Sequence, residues 1–586
     1  MMELALPAEF RPNEFPAASR EQWRAMVDAV LSKTGASYES LVTKTYDGFE
    51  LQPLYTLDDA LPPYALAPVK QGWDVRQRHA VPDPVALMND LEGGVTSLWL
   101  AVPASSLEQL LDGVYLDLAQ IVLDGDVEAA RVMLRIYDQA PVLASEVRGN
   151  LALTPFGDAL DVIKQANEQF PQMRTVVVDA LPFHDAGGSD SEELGASLAL
   201  AVSYLRALTG AGLSVEQAFA QLEFRYAATA DQFMTIAKLR AARRLWARVA
   251  EVSGVDVPQV QHAVTSSAMM TRRDPWVNML RTTVATLAAG LGGADSVTVQ
   301  PFDAAIGLPD EFARRIARNT QNLLLEESHL GEVIDPAAGS WYVEKLTDEL
   351  AVAAWAWFQE IERAGGLPAA GQLVASRIAE TWAARSARLA DRSDPITGVS
   401  EFPNLAEKPV VREPAPGIDS DSQAPWGDAP PIPSFSGGSD NFGLPRVRYA
   451  QAFEELRDLA DAQPERPQVF LATLGPVSAH TARATFAANL FNAGGFATPN
   501  AGPTKTPEDV AEKFRASGAR IAVLCGSDTS YADQAVPTVE ALREAGAERV
   551  LLAGKKSDAD VDGFVFMGCP ALEILNSTFD FLGVER

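Results

Sequence analysis

The sequence predicts an α/β fold in which an eight-stranded β/α barrel precedes a smaller, doubly wound parallel sheet. Over residues 61–395, short apolar runs alternate with long amphipathic segments, and this length suits eight strand–helix units. Over residues 466–586 a second, shorter alternation of strands and helices follows a stretch rich in proline and glycine. The two alternations predict two folded domains of different size.

Residues 1–60 form a polar segment with one predicted helix, at about Arg20–Lys33. We interpret the segment as an arm for an interface, because scattered aromatic and apolar side chains in a polar stretch need a surface to pack against. The alternative, that it wraps the barrel of its own chain, stays open. The side chains concerned are Phe10, Phe15, Trp23, Leu31, Leu41, Tyr46 and Phe49.

In the barrel region, β-branched and apolar runs predict strands and longer periodic segments predict helices. The predicted strands include Thr96–Val102, Arg174–Asp179, Val260–Val264 and Asp295–Gln300. The predicted helices include Glu192–Thr209, Ala230–Val252 and Asp274–Gly290. Gly290-Leu-Gly-Gly-Ala-Asp295 imitates part of a dinucleotide fingerprint, but it follows a helix and is interpreted as a helix end.

Residues 396–465 are interpreted as a linker, since proline, glycine, serine and acidic residues interrupt the pattern and Trp426, Phe435 and Phe442 stand isolated. In the second domain Ala482–Ala493 is a predicted helix. The predicted strands there are Gln468–Leu474, Arg520–Cys525, Arg549–Ala553 and Gly563–Met567. Their order predicts a small doubly wound sheet.

The composition excludes several classes of protein. Lys plus Arg number 48 against 78 Asp plus Glu, a net charge of −30, which argues against a nucleic-acid partner. No apolar run is long enough to predict a membrane span, and the N-terminus has no signal-peptide pattern. Two cysteines, Cys525 and Cys569, are too few for a disulfide framework, so we expect a cytoplasmic protein. The five histidines form no metal-ligand pattern, so no metal site is expected.

Two long matches carry a resemblance to a known family. The first match begins Asp303-Ala-Ala-Ile-Gly-Leu-Pro-Asp-Glu-Phe and runs to Gln321, and the second is Val333-Ile-Asp-Pro-Ala-Ala-Gly-Ser-Trp-Tyr342. Both resemble the barrel of coenzyme B12-dependent acyl-CoA mutases of the methylmalonyl-CoA mutase type. Ala237-Lys-Leu-Arg-Ala-Ala-Arg-Arg-Leu-Trp-Ala247 is similar to that family's helix after the sixth strand. The resemblance implies a TIM barrel that holds the acyl-CoA along its axis, and a flavodoxin-like, cobalamin-binding-type domain that caps its C-terminal mouth.

The second domain departs from this family where the cobalt should be held. Catalytic members carry Asp-x-His-x-x-Gly after the first strand of the domain; here the stretch is Leu474-Gly-Pro-Val-Ser-Ala-His-Thr-Ala-Arg483. Ser478 stands two residues before His480, Arg483 three residues after it, and Ala479 occupies the ungapped ligand position. We interpret His480 as a solvent-facing or capping histidine; the alternative is a cobalt ligand.

The barrel departs from the family as well. Arg78 occupies the position where the resemblance places a tyrosine between substrate and cobalamin. Val260-Gln-His-Ala-Val264 replaces the family's Arg-Thr-His-Ser-Gln. Thr298-Val-Gln300 replaces the family's His-Thr-Asn. The stretch Gly149–Thr154 lacks the arginine that binds the substrate in the family. One piece remains: His184 in Pro182-Phe-His-Asp-Ala-Gly187 matches the histidine that hydrogen-bonds the thioester carbonyl. It is either a relic in a strand-end turn or a working acid or donor.

The resemblance with these departures implies a small, non-catalytic chain in a heterodimeric mutase that interconverts methylmalonyl-CoA and succinyl-CoA. Adenosylcobalamin and the active site would belong to the partner, a large catalytic subunit. Two alternatives stay open. A stand-alone B12-dependent mutase predicts bound corrinoid and turnover by this chain alone. An interaction protein that guards a mutase predicts a substoichiometric complex.

Overall fold

The structure, a computed structural model, describes residues 18–62, 72–415 and 443–584. The strands are β1 Thr43–Lys44, β2 Glu50–Leu51, β3 Asp74–His79, β4 Ser97–Leu100, β5 Gln120–Leu123, β6 Gly149–Asn150, β7 Val176–Asp179, β8 Leu222–Ala228, β9 Gln261–Thr265, β10 Ser296–Thr298, β11 Phe470–Thr473, β12 Ile521–Cys525, β13 Arg549–Ala553 and β14 Gly563–Val565.

The helices are α1 Arg20–Leu31, α2 Pro84–Glu92, α3 Leu107–Leu110, α4 Val127–Gln139, α5 Ala159–Gln169, α6 Leu181–Asp185, α7 Asp190–Gly210, α8 Val215–Ala220, α9 Gln232–Ser253, α10 Val277–Leu291, α11 Glu311–Asn322, α12 Trp341–Arg363, α13 Leu367–Ala390, α14 Gln451–Asp461, α15 Val477–Ala493, α16 Pro507–Ser517, α17 Asp528–Glu544 and α18 Ala571–Leu582.

Strands β3–β10 form one parallel sheet in which each strand pairs with its chain neighbours, and β10 returns to pair with β3. The remaining gap, between β6 and β7, is bridged at Asn150 and Arg174, where the Leu151 N–H donates to the Arg174 carbonyl at 3.1 Å. Helices follow every strand and cover the outside. The predicted β/α barrel is therefore confirmed.

Side chains alternate along the barrel strands between the outer core and the barrel interior. In β7 and β8 the residues Val176, Val178 and Phe224 join the large apolar core under the helices. The residues between them, among them Glu223 and Arg225, form their ion pairs inside the barrel. The interior of this barrel is thus lined largely by polar and charged side chains.

The second sheet runs β11–β12–β13–β14, all parallel. An extended segment at 497–500 lies beside β11, with the Leu471 N–H donating to the Pro499 carbonyl at 2.8 Å. With this segment counted second in the chain, the spatial order is 2-1-3-4-5, the flavodoxin-like order. Apolar clusters cover both faces of the sheet, as a doubly wound fold requires.

The predicted linker is wrong at its C-terminal part. Residues 451–461 form the amphipathic helix α14, and Phe453, Leu456 and Ala460 pack into one core of the second domain. Ile396 and Val399, at the other end of the predicted linker, are buried in the same core. These apolar faces were overlooked because the intervening proline-rich stretch dominates the local composition. Trp426, Phe435 and Phe442 lie outside the described residues.

The N-terminal segment divides into two parts. Helix α1 begins at a capping box between Ser19 and Gln22 and contains no buried residue. The hairpin of β1 and β2 instead packs on its own chain, because Phe49 and Leu51 contact the barrel core and the Tyr46 hydroxyl donates to the Asp394 carboxylate. For the hairpin, the alternative in which the segment wraps its own barrel is the correct one. Phe10 and Phe15 lie outside the described residues.

Candidate functional site: the barrel mouth and the crevice of the second sheet

The C-terminal ends of β3–β10 and the loops after them form the barrel mouth, where barrel enzymes place their chemistry. His184 lies there, in the short helix α6 directly after β7. Its Nε2 atom is 2.7 Å from the hydroxyl of Ser266, which follows β9, and its Nδ1 atom is 3.8 Å from the Glu193 carboxylate. The structure thus brings this histidine together with two polar partners from separate elements.

The groups behind His184 form a buried, charged cluster. Lys238 donates to both Glu193 and Asp190 at 2.7 Å, and these carboxylates keep the pKa of Lys238 above its ordinary value although burial acts against the charge. Burial raises the pKa of Glu193 to about 7. The Ser191 N–H at the start of α7 donates to Asp47 of the hairpin at 2.6 Å. The hairpin therefore closes this cluster from outside.

His184 is held as a neutral side chain. Burial, reinforced by the nearby Lys238 charge, lowers the pKa of His184 to about 3, and the ring is only 3% exposed. The segment of residues 443–450, named here the return segment, crosses above it: the Val447 N–H donates to the Asp185 carbonyl at 2.8 Å, and the Tyr449 N–H donates to the Ala268 carbonyl at 2.9 Å. The imidazole is thus neutral and covered by the return segment.

The barrel axis is filled by side chains of the strands. Arg76 of β3 donates to Glu223 of β8 across the interior and to the Ser97 hydroxyl at 2.9 Å. Although burial opposes the charge, Arg76 keeps the pKa of Glu223 below its ordinary value. Removing either partner would leave an unpaired charge in the interior, so the pair is fixed in place. The pantetheine arm of an acyl-CoA would have to displace it.

A second layer of polar side chains lies in the barrel interior, nearer the mouth than Arg76 and Glu223. Arg225 donates to Asp179 at 2.8 Å and to His262 Nδ1 at 3.4 Å, and its guanidinium lies 4.0 Å from the ring centroid of Trp99. Since His262 Nδ1 accepts this bond, its Nε2 carries the proton and donates to Thr298, 2.8 Å away. Thr298, which replaces a family histidine, is therefore part of a structural hydrogen-bond network.

Sequence reasoning overlooked these interior ion pairs. The signal was present in β8, where Glu223 and Arg225 alternate with apolar residues in Leu-Glu-Phe-Arg-Tyr-Ala-Ala. Alternation of this kind normally predicts a strand with one face in water, whereas here the polar face is turned into a barrel.

The stretch Gly149–Thr154, which lacks the family's substrate-binding arginine, begins with a constrained glycine. Gly149 has φ +140°, and an added Cβ would lie 2.1 Å from the Ile121 carbonyl oxygen. This position is constrained by the closure of the barrel.

The second candidate residue, His480, is buried. It lies in the first turns of α15 and is 5% exposed, and no described residue hydrogen-bonds its Nδ1. The N-terminus of α15 has Pro476 as its cap residue and no side-chain cap, so His480 does not cap it either. Our interpretation of a solvent-facing or capping histidine is therefore wrong. His480 lies on the stripe of α15 that continues to Ala484 and Ala487, which pack on the sheet.

The crevice where a flavodoxin-like sheet binds its ligand, at the ends of β11 and β12, is occupied by side chains of this chain. Arg483 reaches across it from α15, donates to the Gly526 carbonyl at 2.7 Å and pairs with Asp528. Tyr531 fills the far side, since its hydroxyl donates to the Leu524 and Ala553 carbonyls at 3.0 and 2.8 Å. The residues present do not fit a cobalamin tail.

Within residues 18–62, 72–415 and 443–584, no group of three or more histidine, cysteine or carboxylate side chains is arranged to hold a metal ion. Across the same ranges, none of the helices has the length and apolar character that a membrane crossing needs.

The closed barrel followed by a flavodoxin-like sheet is the two-domain arrangement that the sequence resemblance implied. A family model described as methylmalonyl-CoA mutase matches residues 153–421. The methylmalonyl-CoA mutase small subunit of Streptomyces virginiae is 54% identical, over 97% of this chain and 98% of that protein. The small subunit of Propionibacterium freudenreichii subsp. shermanii is 36% identical, over 98% of this chain and 96% of that protein.

A third relative, the methylmalonyl-CoA mutase small subunit of Porphyromonas gingivalis, is 31% identical over 98% of both chains. The chain belongs to the methylmalonyl-CoA mutase family. The resemblance inferred from the sequence is confirmed, and these three relatives all carry the small-subunit name.

Proposed function

We propose that this chain is the non-catalytic small subunit of a heterodimeric, adenosylcobalamin-dependent methylmalonyl-CoA mutase that acts in the cytoplasm. Its partner, the large catalytic subunit, holds the cofactor and interconverts methylmalonyl-CoA and succinyl-CoA. The observation that carries the proposal is that both places where this family binds its ligands are filled by the chain's own side chains. Arg76, Glu223 and Arg225 fill the barrel axis, and Arg483 and Tyr531 fill the crevice.

The fold around the filled sites supports a role in assembly. Eight barrel strands and the doubly wound sheet are retained, so the chain keeps both folded domains of its family. At the mouth, His184 is neutral and covered, and Arg78 stands in place of the family's tyrosine. A chain of this kind stabilises a partner by pairing with it, and it needs no ligand to do so.

The test compares this chain alone, the catalytic subunit alone, and the two together. We expect the isolated chain to show no corrinoid absorbance after incubation with adenosylcobalamin and dialysis, and no mutase turnover. We expect the mixture to form a one-to-one complex by size-exclusion chromatography with light scattering, with turnover and one corrinoid per heterodimer. The separate catalytic subunit controls for cofactor binding that needs no partner.

Two results would contradict the proposal. Turnover and stoichiometric corrinoid on the purified single chain would favour the stand-alone mutase. A substoichiometric complex, in which a small amount of this chain restores activity to excess catalytic subunit, would favour the interaction protein that guards a mutase. Spin resonance that showed His480 bound to cobalt would also count against the proposal, since this ring is buried against the sheet.

A further inference from the structure

The barrel mouth contains hydrogen-bond donors in excess of their acceptors. Trp99 of β4 lies between two arginines: the guanidinium carbon of Arg225 is 4.0 Å from its ring centroid, and that of Arg78 is 5.1 Å away on the rim. These three side chains come from adjoining barrel strands and from β8, and all project into the barrel at its C-terminal end. The arrangement concentrates positive charge around one indole.

Two of these donors are unsatisfied among the described residues. The indole Nε1 of Trp99 and the NH2 group of Arg225 are both buried and have no hydrogen-bond partner there. Arg225 is 1% exposed, and its other nitrogens already donate to Asp179 and His262. A buried donor without an acceptor costs about 1–3 kcal/mol, so such groups in folded proteins generally have a partner.

Arg78 adds a third donor on the open side of the site. Its side chain is 44% exposed, and its ion pair with Asp124 is long, at 4.0 Å. Burial and the neighbouring charges of Arg225 and Arg446 lower its pKa, whereas Asp124 and Asp179 act in the opposite direction. The arginine that replaces the family's tyrosine is thus only partly neutralised by the side chains around it.

The chemistry of the three groups shows what kind of ligand would satisfy them. The indole N–H of Trp99 and the guanidinium groups of Arg78 and Arg225 donate hydrogen bonds and accept none. Two of the three side chains carry a positive charge, so a negatively charged acceptor complements all three.

We propose that the barrel mouth of this chain binds a small oxyanion, held by Arg78, Arg225 and the indole N–H of Trp99. Planar guanidinium groups and an indole N–H suit the oxygens of a carboxylate or of phosphate. The filled axis below, with Arg76 paired to Glu223, limits the ligand to one that stays at the mouth and does not extend through the barrel. The site uses residues by which this chain differs from catalytic mutases, and it does not depend on the proposed function.

The experiment uses the full chain and three probes: acetate, succinate and inorganic phosphate, each titrated against sodium chloride at matched ionic strength. The indole N–H resonance of Trp99 is identified by its absence in Trp99→Phe, since the chain has 10 tryptophans. We expect this resonance to move downfield in a saturable way, with a calorimetric stoichiometry of one. The probe that binds tightest distinguishes a carboxylate from phosphate as the source of the oxyanion.

Two variants test the donors, and one controls for charge. Trp99→Phe keeps an aromatic ring but removes the N–H, and Arg78→Gln removes the charge of a partly exposed side chain on the rim. Each variant should weaken binding about tenfold or more. Arg206→Gln, at an exposed pair with Glu362 on the outside of the barrel, should bind as the wild type does. The proposal fails if no probe moves the Trp99 resonance, or if Trp99→Phe and Arg78→Gln both keep wild-type affinity.

Discussion

At the scale of single side chains, burial decides what His184 can do. A general acid usually contributes 10²–10⁴-fold to a rate, about 3–5 kcal/mol, but this imidazole is neutral and lies under the return segment. We expect His184→Ala in this chain to leave turnover of the heterodimeric mutase within about threefold. The same change should lower the free energy of unfolding by about 1–3 kcal/mol, because Ser266 loses a buried partner.

Mutase turnover of the assembled complex and chemical denaturation of the free chain measure these two effects. Ser266→Ala is the matched control: it removes the other half of the hydrogen bond, so the double variant should cost less than the sum of the single ones. A loss of turnover greater than about a hundredfold in His184→Ala, with the complex still assembled, would show that this barrel is active.

Asp185 should make the stability of the chain depend on pH. Burial raises its pKa to about 7 in the folded protein, above the ordinary carboxyl value of 3.8. The folded state therefore holds the proton more tightly than the unfolded state, and stability is lost as the pH rises from about 4 through about 7. Asp185→Asn removes the titrating group, so it should raise the free energy of unfolding at pH 8 by about 1–3 kcal/mol.

Urea denaturation at a series of pH values measures this effect. Glu193 and Asp47 also have pKa values raised, to about 7 and about 6, by burial, so some slope should persist in the variant. Equal stability of the variant and the wild type at both ends of the range would contradict the assignment of a buried, high-pKa carboxyl at residue 185.

At the scale of elements, α14 connects the two domains through one carboxylate. Glu454 is buried, accepts the backbone N–H groups of Arg272 and Arg273 at 2.5 and 3.2 Å from the loop after β9, and pairs with Arg448 of the return segment. Because the same helix packs Phe453 into the second domain, this contact holds that domain against the barrel. The segment that the sequence analysis placed in a linker is therefore a helix that docks the second domain on the barrel.

We expect Glu454→Ala to cost about 2–4 kcal/mol, since it leaves two backbone donors and an arginine unpaired, and Glu454→Gln to cost less because its amide oxygen still accepts. Calorimetry should show one unfolding transition splitting into two as the domains uncouple. Glu455→Ala, one residue along on the exposed side of the same helix, is the control. No difference between the variants at 454 and 455 would contradict the docking role.

At the scale of the whole molecule, α1 contacts the rest of the N-terminal segment, through Arg20 with Asp59 and Trp23 with Tyr38, and leaves its apolar face exposed. It contains no buried residue, and its apolar side chains Met26 and Val30 are 73% and 62% exposed. We expect deletion of residues 1–35 to weaken binding to the large subunit while the melting temperature of the free chain stays within a few degrees. The hairpin that follows should remain in the deletion variant, because it packs on the barrel through Phe49 and Asp47.

Light scattering and titration of the two subunits measure the association, and thermal unfolding of the free chain measures its stability. The double variant Met26→Asp/Val30→Asp should reproduce the deletion, whereas Asp28→Asn on the polar side of α1 should not. Loss of cooperative unfolding in the deletion variant would mean that α1 belongs to the barrel core, and the interface hypothesis would fail.

The amino-acid sequence by itself determined the order of elements and the family. Apolar periodicity located strands such as Val176–Asp179 and helices such as Gln232–Ser253 to within a few residues, because burial of one face imposes that periodicity on the sequence. The two long matches around Asp303–Gln321 and Val333–Tyr342 identified the family, which the relatives confirm. These signals are local, so they can be read along the chain.

Only the tertiary structure decided what the interior contains. Arg76 and Glu223 are 147 residues apart, and nothing local predicts that they pair across a barrel. The burial of His480 and the reach of Arg483 across the crevice likewise depend on how α15 lies on its sheet. Solvation and pairing of a polar side chain are set by neighbours from distant elements. These neighbours place the chain's own side chains in the barrel axis and in the crevice of the second sheet.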